Sequence, residues 1–382
     1  MSSAQRAAVS SVIAVVLCIG WMAWSTEPFG VSSVEVSQDS TNTGSPEQRF
    51  LPYLAPDVAR LLLPSISSDD ELSKDSMDCN EAINALLDVQ TEEEFAGWQA
   101  DMTSVLSQSA SAEHLHVAAL LEDDPVKSVA LINRALAITP TDPMMLWSAV
   151  QICSKVDGDI GCNTDAWESQ LLAADSQNSE VWARAAVSRH ASGDTVGALQ
   201  ALEQAASVSQ STVYWPEYIA AIERGLAAGT NQSFLQRASY AFGIAPLPAY
   251  GPVVSLCREQ SAADKSWGYA CLAYGELLER QGKNDLSLAI ARRLQQIMLA
   301  ALGEVERAAA MEAGIQRERE LMKSRPYSPV HELVMLSTPE LFAEYLAALR
   351  SVGEAGARAQ MGVAADKILE RRPELRCVVD NE

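Results

Sequence analysis

Residues 179–210 read SEVWARAAVSRHASGDTVGALQALEQAASVSQ and contain the clearest structural pattern in the chain. Two stretches carry apolar or small residues three and four positions apart, on either side of the polar triplet at 192–194. This spacing places the apolar side chains on one face of a helix, and Gly193 eases a tight turn. The segment therefore predicts two helices that pack against each other across a short connection.

The same periodicity continues along most of the chain. Alanine and leucine are frequent, and no run of alternating β-branched residues is long enough for a sheet. Pro140 and Pro143 end one amphipathic segment, and Pro326 ends a second, longer amphipathic segment. Thr338 stands as an N-cap before Pro339, which fits the first position of a helix. These signals predict an all-α fold.

The pattern at 179–210 resembles the tetratricopeptide repeat, a 34-residue helix–turn–helix unit. The resemblance implies an α-α superhelix of helical hairpins, and the chain is identified as a member of this class with degenerate repeats. It departs from the motif at Gln210, where proline is usual. The residues of the clear unit that match motif positions are Trp182, Ala186, Gly193, Ala198, Leu202 and Ala205. The residues that match the end of an earlier unit are Ala135 and Pro140.

The N-terminus predicts export. Residues 7–24 carry no charge, and 18 residues of helix span about 27 Å, close to the thickness of a hydrocarbon core. Arg6 precedes this segment, and the next cation is Arg49, so the body should face away from the cytoplasm. We expect a single-pass bacterial inner-membrane protein with its body in the periplasm. The alternative is a signal peptide cleaved near Ser25, which releases the body.

Composition divides the chain into four predicted parts. Residues 1–25 are the signal anchor or signal peptide, and 26–78 are a polar linker interrupted by prolines. Residues 79–325 are the helical repeat region, and 326–382 are a C-terminal helical segment.

The cysteines predict disulfides. An exported body would carry six cysteines in an oxidising compartment, and even numbers in that setting favour bridges. Proximity suggests Cys153–Cys162 and Cys257–Cys271. Elimination then pairs Cys79 with Cys377, although either could be free. Single buried thiols are the alternative.

The charge pattern excludes some partners. The formal net charge is −22, which argues against nucleic acid. The imbalance is −20 over residues 1–249 and −2 over residues 250–382. We expect a solvated acidic surface followed by a mixed one, and the alternative is two surfaces for two partners. We find no metal site or cofactor motif, and the sequence makes no prediction of oligomeric state.

Function is predicted from the repeat resemblance. It implies non-catalytic protein binding, in which a partner segment lies in the groove of a helical array and the chain serves as an envelope scaffold or assembly helper. The alternative is an envelope enzyme, glycan- or peptide-processing, with a site built from dispersed carboxylates. Exposed aromatic residues would anchor a partner, whereas buried ones would be core. The candidates cluster after the clear repeat: Tyr214, Trp215, Tyr218, Tyr240, Phe242 and Tyr250.

Overall fold

The computed structural model describes residues 92–154, 161–324 and 329–372. Across these ranges the chain forms fifteen α-helices and no strand, which confirms the predicted all-α class. A single bridge between Asn178 and Gln210 is the only β-type pairing in the same ranges. None of the described helices is both long and apolar enough to cross a bilayer.

Several predictions fall on other parts of the chain. The signal anchor or signal peptide at 1–25, the membrane segment at 7–24 and the linker at 26–78 lie outside the described residues, as do Cys79 and Cys377.

The helices are numbered here in chain order. They are α1 (Glu92–Ser107), α2 (Ala112–Leu121), α3 (Pro125–Ile138), α4 (Pro143–Cys153), α5 (Thr164–Ala174), α6 (Ser179–Ala191), α7 (Thr195–Ser207), α8 (Trp215–Gly229), α9 (Phe234–Ile244), α10 (Gly251–Ser261), α11 (Lys265–Gln281), α12 (Asp285–Ala301), α13 (Val305–Ser324), α14 (Pro329–Ser337) and α15 (Pro339–Arg371).

Local sequence explains where most helices begin. A short polar side chain accepts a hydrogen bond from a first-turn amide in eight of them, which satisfies an otherwise unpaired donor. Ser233 forms a complete capping box with Gln236 at the start of α9. Proline follows the cap at α3, α4 and α15, where its missing N–H costs nothing. The capping residues are Ser111, Asp124, Asp142, Asn178, Asp194, Ser233, Asp264 and Asn284.

The predicted hairpin is present as α6 and α7, which pack against each other. Gly193 in the turn has φ +88°, a conformation that favours glycine. Ala186, Ala198 and Leu202 are fully buried, and small residues allow the two helices to approach closely. Trp182 is half-buried, and its indole donates to the Ser176 carbonyl at 2.8 Å.

The hairpins do not all stack in chain order. In a simple repeat array each hairpin packs on the next one. Here α7 packs against α11, while α8 packs against α1, α2, α9 and α15. Gly225 of α8 lies so close to Val117 that a Cβ would stand 3.1 Å from its side chain. The α8–α9 hairpin thus leaves the sequential order.

The C-terminal helix bends where it meets the α11–α12 turn. Gly353 has φ +78°, and the Glu354 amide donates to the Lys283 carbonyl at 2.7 Å. Glu354 also accepts from the Asp285 amide at 2.8 Å, and Arg358 pairs with both acids. This contact fastens α15 to the start of α12.

Two disulfides join neighbouring helices. Cys153 at the end of α4 bonds to Cys162 just before α5, and Cys257 of α10 bonds to Cys271 of α11. These are the two pairings that sequence proximity suggests. Cys257 and Cys271 are fully buried, and Cys153 is nearly so.

Removing each bridge should destabilise the fold by an amount set by its loop. The sequence separations are 9 and 14 residues, so the loop-entropy relation gives roughly 2.5–3 kcal/mol for each, with the larger value for Cys257–Cys271. Urea unfolding of Cys153→Ala/Cys162→Ala and Cys257→Ala/Cys271→Ala, compared with the unchanged chain, measures both losses. A loss under roughly 0.5 kcal/mol in either pair would contradict a stapling role for that bridge.

Candidate functional site

Two concave features stand out in the described residues. The first, the α12–α13 groove, has a volume of about 650 Å³ and is lined by residues of α12 and α13 together with Glu279 of α11. The second, the polar cavity, has a volume of about 240 Å³ and lies between residues 210–217, residues 281–287 and α15.

The α12–α13 groove has an apolar floor. Leu299 is buried beneath it, and Met311 and Ile315 are partly exposed along α13. Among the described helices, α13 packs mainly on α12. A concave strip of aliphatic and methionine side chains suits the apolar residues of a partner.

Charged residues form the rim of this groove. Arg292 pairs with Glu279 at 2.8 Å and also with Glu318. Arg307 pairs with Glu304 at 2.7 Å, and Arg317 completes the cationic side. Three arginines and three glutamates therefore alternate along this rim, and most of their charge is already paired.

Glu279, one of the two groove carboxylates, is a poor general acid. Burial would raise the pKa of Glu279, but hydrogen bonds from Arg292 and Gln295 lower it on balance. A catalytic acid at neutral pH needs the opposite shift. The carboxyls whose pKa is raised, Glu168, Glu180 and Glu354, line neither this groove nor the polar cavity.

Most of the aromatic candidates are core residues. Tyr218 is fully buried, and the exposed fractions of Tyr214, Trp215, Phe242 and Tyr250 are 4–8 %. All five pack between helices, and the three tyrosines also hydrogen-bond to neighbouring side chains, so they present little surface to a partner.

Tyr240 is the exception among the six. It is half-buried and lies against Trp98 of α1, with ring centroids 4.6 Å apart. Phe95 contacts both rings. The structure therefore brings Tyr240 together with two residues that the sequence did not single out, and the other five candidates lie elsewhere.

A buried histidine joins three helices. His116 of α2 is 2.7 Å from Ser148 of α4 through Nε2, and the Ser148 hydroxyl is 2.7 Å from the Tyr218 hydroxyl of α8. Burial lowers the pKa of His116 to about 4, although Glu113 opposes this shift. The neutral ring is thus the form that the core accepts. No described group of three His, Cys, Asp or Glu residues is arranged to hold a metal.

A buried glutamate joins α6 to α11. Glu180 accepts hydrogen bonds from Ser211 at 2.8 Å and from Tyr274 at 3.1 Å. Burial raises its pKa to about 7, and the hydrogen bonds from Ser211, Tyr274 and Ser179 oppose the shift. Its carboxyl therefore changes charge near neutral pH inside the core.

The polar cavity lies beside this network. Ser211 lines the cavity and also donates to Glu180, and Ser287 lines it and is 2.6 Å from the Tyr250 hydroxyl. Lys283 and Arg350 contribute positive charge to the wall. Sequence analysis missed Ser211, Ser287 and Arg350, because single polar residues carry no motif.

The two buried ionisable groups predict opposing pH effects. Between pH 7 and 5 the unfolded chain binds protons at His116 that the folded chain does not, so His116 destabilises the fold as pH falls. Glu180 is protonated in the folded chain before the unfolded one, so it stabilises the fold over the same range. With pKa values of about 4 and about 7, each effect amounts to about 2 kcal/mol.

Single substitutions should separate these effects. Relative to the unchanged chain, Glu180→Gln should lose about 2 kcal/mol of unfolding free energy from pH 7 to 5, and His116→Gln should gain about 2 kcal/mol. Urea unfolding at several pH values measures both differences. Parallel pH curves for all three proteins would show that neither side chain titrates as described.

No known protein family, curated protein or solved structure matches this chain.

Proposed function

We propose that this protein is an exported, non-catalytic binding scaffold that holds a partner segment in the α12–α13 groove. The observation that carries the proposal is the groove itself, with its apolar floor and charged rim. The partner segment would present two or three apolar side chains to Met311 and Ile315. Polar residues beside them would meet the mixed charges of the rim.

The repeat assignment belongs to the same proposal. The α6–α7 hairpin buries four of its six motif residues, Ala186, Ala198, Leu202 and Ala205. The remaining hairpins would be degenerate tetratricopeptide-like units of an α-α superhelix. The α8–α9 hairpin would interrupt the array, since it packs on α1 and α2. Such arrays expose long grooves in which segments of other proteins bind.

The compartment in the proposal is the bacterial periplasm, with residues 7–24 as the membrane anchor or cleaved signal. Two disulfides support it, because such bridges persist in oxidising compartments. The binding proposal is favoured over an envelope enzyme because the groove carboxylates Glu279 and Glu318 both pair with Arg292.

Groove binding can be tested with a photoreactive residue. p-Benzoylphenylalanine placed at Met311 should cross-link a partner in intact cells, because this side chain lies in the floor. The same residue at Val196 of α7, which is 70 % exposed, is the control and should give no adduct of that mass. Mass spectrometry of the purified adduct identifies the partner and the cross-linked peptide.

A second substitution in the same chain makes the test specific. Ile315→Glu should reduce the Met311 adduct by about tenfold or more, because a charge in the apolar floor must lose its water when the partner binds. Val363→Glu, at a residue of α15 that is 61 % exposed, should leave it unchanged. Equal adducts with and without Ile315→Glu would rule out the groove as the binding site.

Export makes a separate prediction about thiols. In protein taken directly from cells, Cys153, Cys162, Cys257 and Cys271 should resist alkylation until dithiothreitol is added. Denaturing the protein in acid before alkylation exposes buried thiols and so separates bridges from simple burial. Alkylation of these cysteines without reductant would contradict the oxidising compartment.

A further inference from the structure

Glu180 has an unusual environment for a carboxyl group. It is 5 % exposed at the start of α6, and its carboxyl accepts hydrogen bonds from the hydroxyls of Ser179, Ser211 and Tyr274. Burial raises the pKa of this carboxyl, and the groups that oppose the shift are these hydroxyls rather than a cation. An ionised carboxylate in a core is costly when no cation offsets its charge, so the neutral form suits this position.

The other titratable groups that face Glu180 are two phenols. Tyr274 of α11 donates to the carboxyl, and Tyr250, just before α10, interacts with it electrostatically. Burial and the negative charge of Glu180 raise the pKa of both phenols well above its usual value, so both stay neutral. Asp175 lies on the same side of α6 but accepts its hydrogen bond from Tyr214. Glu180 is therefore the group of this cluster that changes charge near neutral pH.

Residues 210–213 connect Glu180 to the polar cavity. All four line the cavity, and Ser211 also donates to the Glu180 carboxyl at 2.8 Å. The stretch lies between α7 and α8 and is not helical, and its first residue, Gln210, is exposed. Displacement of this short stretch would bring the carboxyl into contact with the water of the cavity.

Few hydrogen bonds hold residues 210–213 against α6. The Ser179 amide donates to the Gln210 carbonyl at 2.9 Å, and the Asn178 side chain bonds to both the amide and the carbonyl of Thr212. Tyr214, which follows, is buried and fixes the far end of the stretch. An opening can therefore be confined to these residues, without unfolding α6 or α8.

We propose that residues 210–213 form a proton-controlled gate, which stays closed over neutral Glu180 and opens toward the polar cavity when Glu180 is ionised. Opening hydrates the carboxylate and so removes the cost of burying its charge. Because the carboxyl loses its proton more easily in the open arrangement, a rise in pH favours opening. This gate is separate from the α12–α13 groove.

The size of the effect follows from the two arrangements of the carboxyl. Its pKa is about 7 in the closed arrangement, and the ordinary value of 4.5 applies when it is open to water. The equilibrium constant for opening should therefore rise about tenfold from pH 6 to pH 8.

Amide hydrogen exchange of the full chain, followed by NMR, tests the gate. The reporters are the amides of Ser179 and Thr212, because their hydrogen bonds break on opening. After correction for the intrinsic effect of pH on exchange, both should exchange about tenfold faster at pH 8 than at pH 6. The amides of Ala186 and Leu202, in the buried middle of α6 and α7, should exchange far more slowly at both pH values.

Matched variants assign the effect to Glu180. Glu180→Gln should abolish the tenfold increase, because its side chain does not titrate, and Glu203→Gln, at an exposed position of α7, should retain it. Tyr274→Phe removes a donor that lowers the pKa of Glu180, so the increase from pH 6 to pH 8 should become larger. This last variant tests the gate even where circular dichroism shows that Glu180→Gln does not fold.

Three outcomes would overturn the proposal. One is exchange of the Ser179 and Thr212 amides at the same rate as Ala186 and Leu202, which would mean that they open only when the helices unfold. Another is corrected exchange that does not change between pH 6 and pH 8. The last is an unchanged pH effect in Glu180→Gln or Tyr274→Phe. None of these outcomes bears on the groove, which the cross-linking experiment tests by itself.

Discussion

The buried polar start of α6 determines how the helices on either side of it are arranged. Asn178 is fully buried, and its side chain donates to the Thr212 carbonyl and accepts from the Thr212 amide, both at 3.0 Å. Glu180 accepts a hydrogen bond from the Ser211 hydroxyl, and the Ser179 amide donates one to the Gln210 carbonyl at 2.9 Å. Buried polar groups are costly unless they are satisfied, so these bonds hold residues 210–214 in one position.

The direction of α8 follows from that position. Because residues 210–214 are held against α6, the chain leaves α7 through Tyr214 in a left-handed conformation. α8 then packs against α1 and α2, and its Tyr218 hydrogen-bonds to Ser148 of α4. The Tyr214 hydroxyl donates to Asp175, which holds the bend from its other side. The uncapped first turn of α8 then borders the polar cavity, whose other walls come from residues 281–287 and from α15. One buried contact thus accounts for the departure from sequential stacking and for the cavity.

The sequence could predict what depends on periodicity and short separations. The α6–α7 hairpin, the start of α15 at Pro339 and the two disulfides all follow from neighbours in the chain. It could not predict contacts that join distant segments. Asn178 looks like an ordinary surface N-cap, and its burial depends on Thr212, 34 residues away. The burial of the aromatic residues after the repeat could not be predicted either, because an aromatic ring on a helix is equally suited to a core and to a surface. The groove and the cavity arise between helices whose mutual position the sequence does not encode locally.

Glu180 connects these features physically. Its carboxyl accepts hydrogen bonds from the hydroxyls of Ser211 and Tyr274. Ser211 lines the polar cavity, and Tyr274 lies on α11, the helix that also supplies Glu279 to the α12–α13 groove. With a pKa of about 7, this buried group gains or loses a proton under ordinary conditions. The ionised form needs both hydroxyl donors in the core, whereas the neutral form can release one of them. Glu180 is therefore the group that hydrogen-bonds both to a residue of the cavity wall and to the helix that borders the groove. The pKa of His116 is shifted so that its ring stays neutral in the core as pH falls. Its effect on the unfolding free energy is therefore opposite in sign to that of Glu180, and the two effects offset each other.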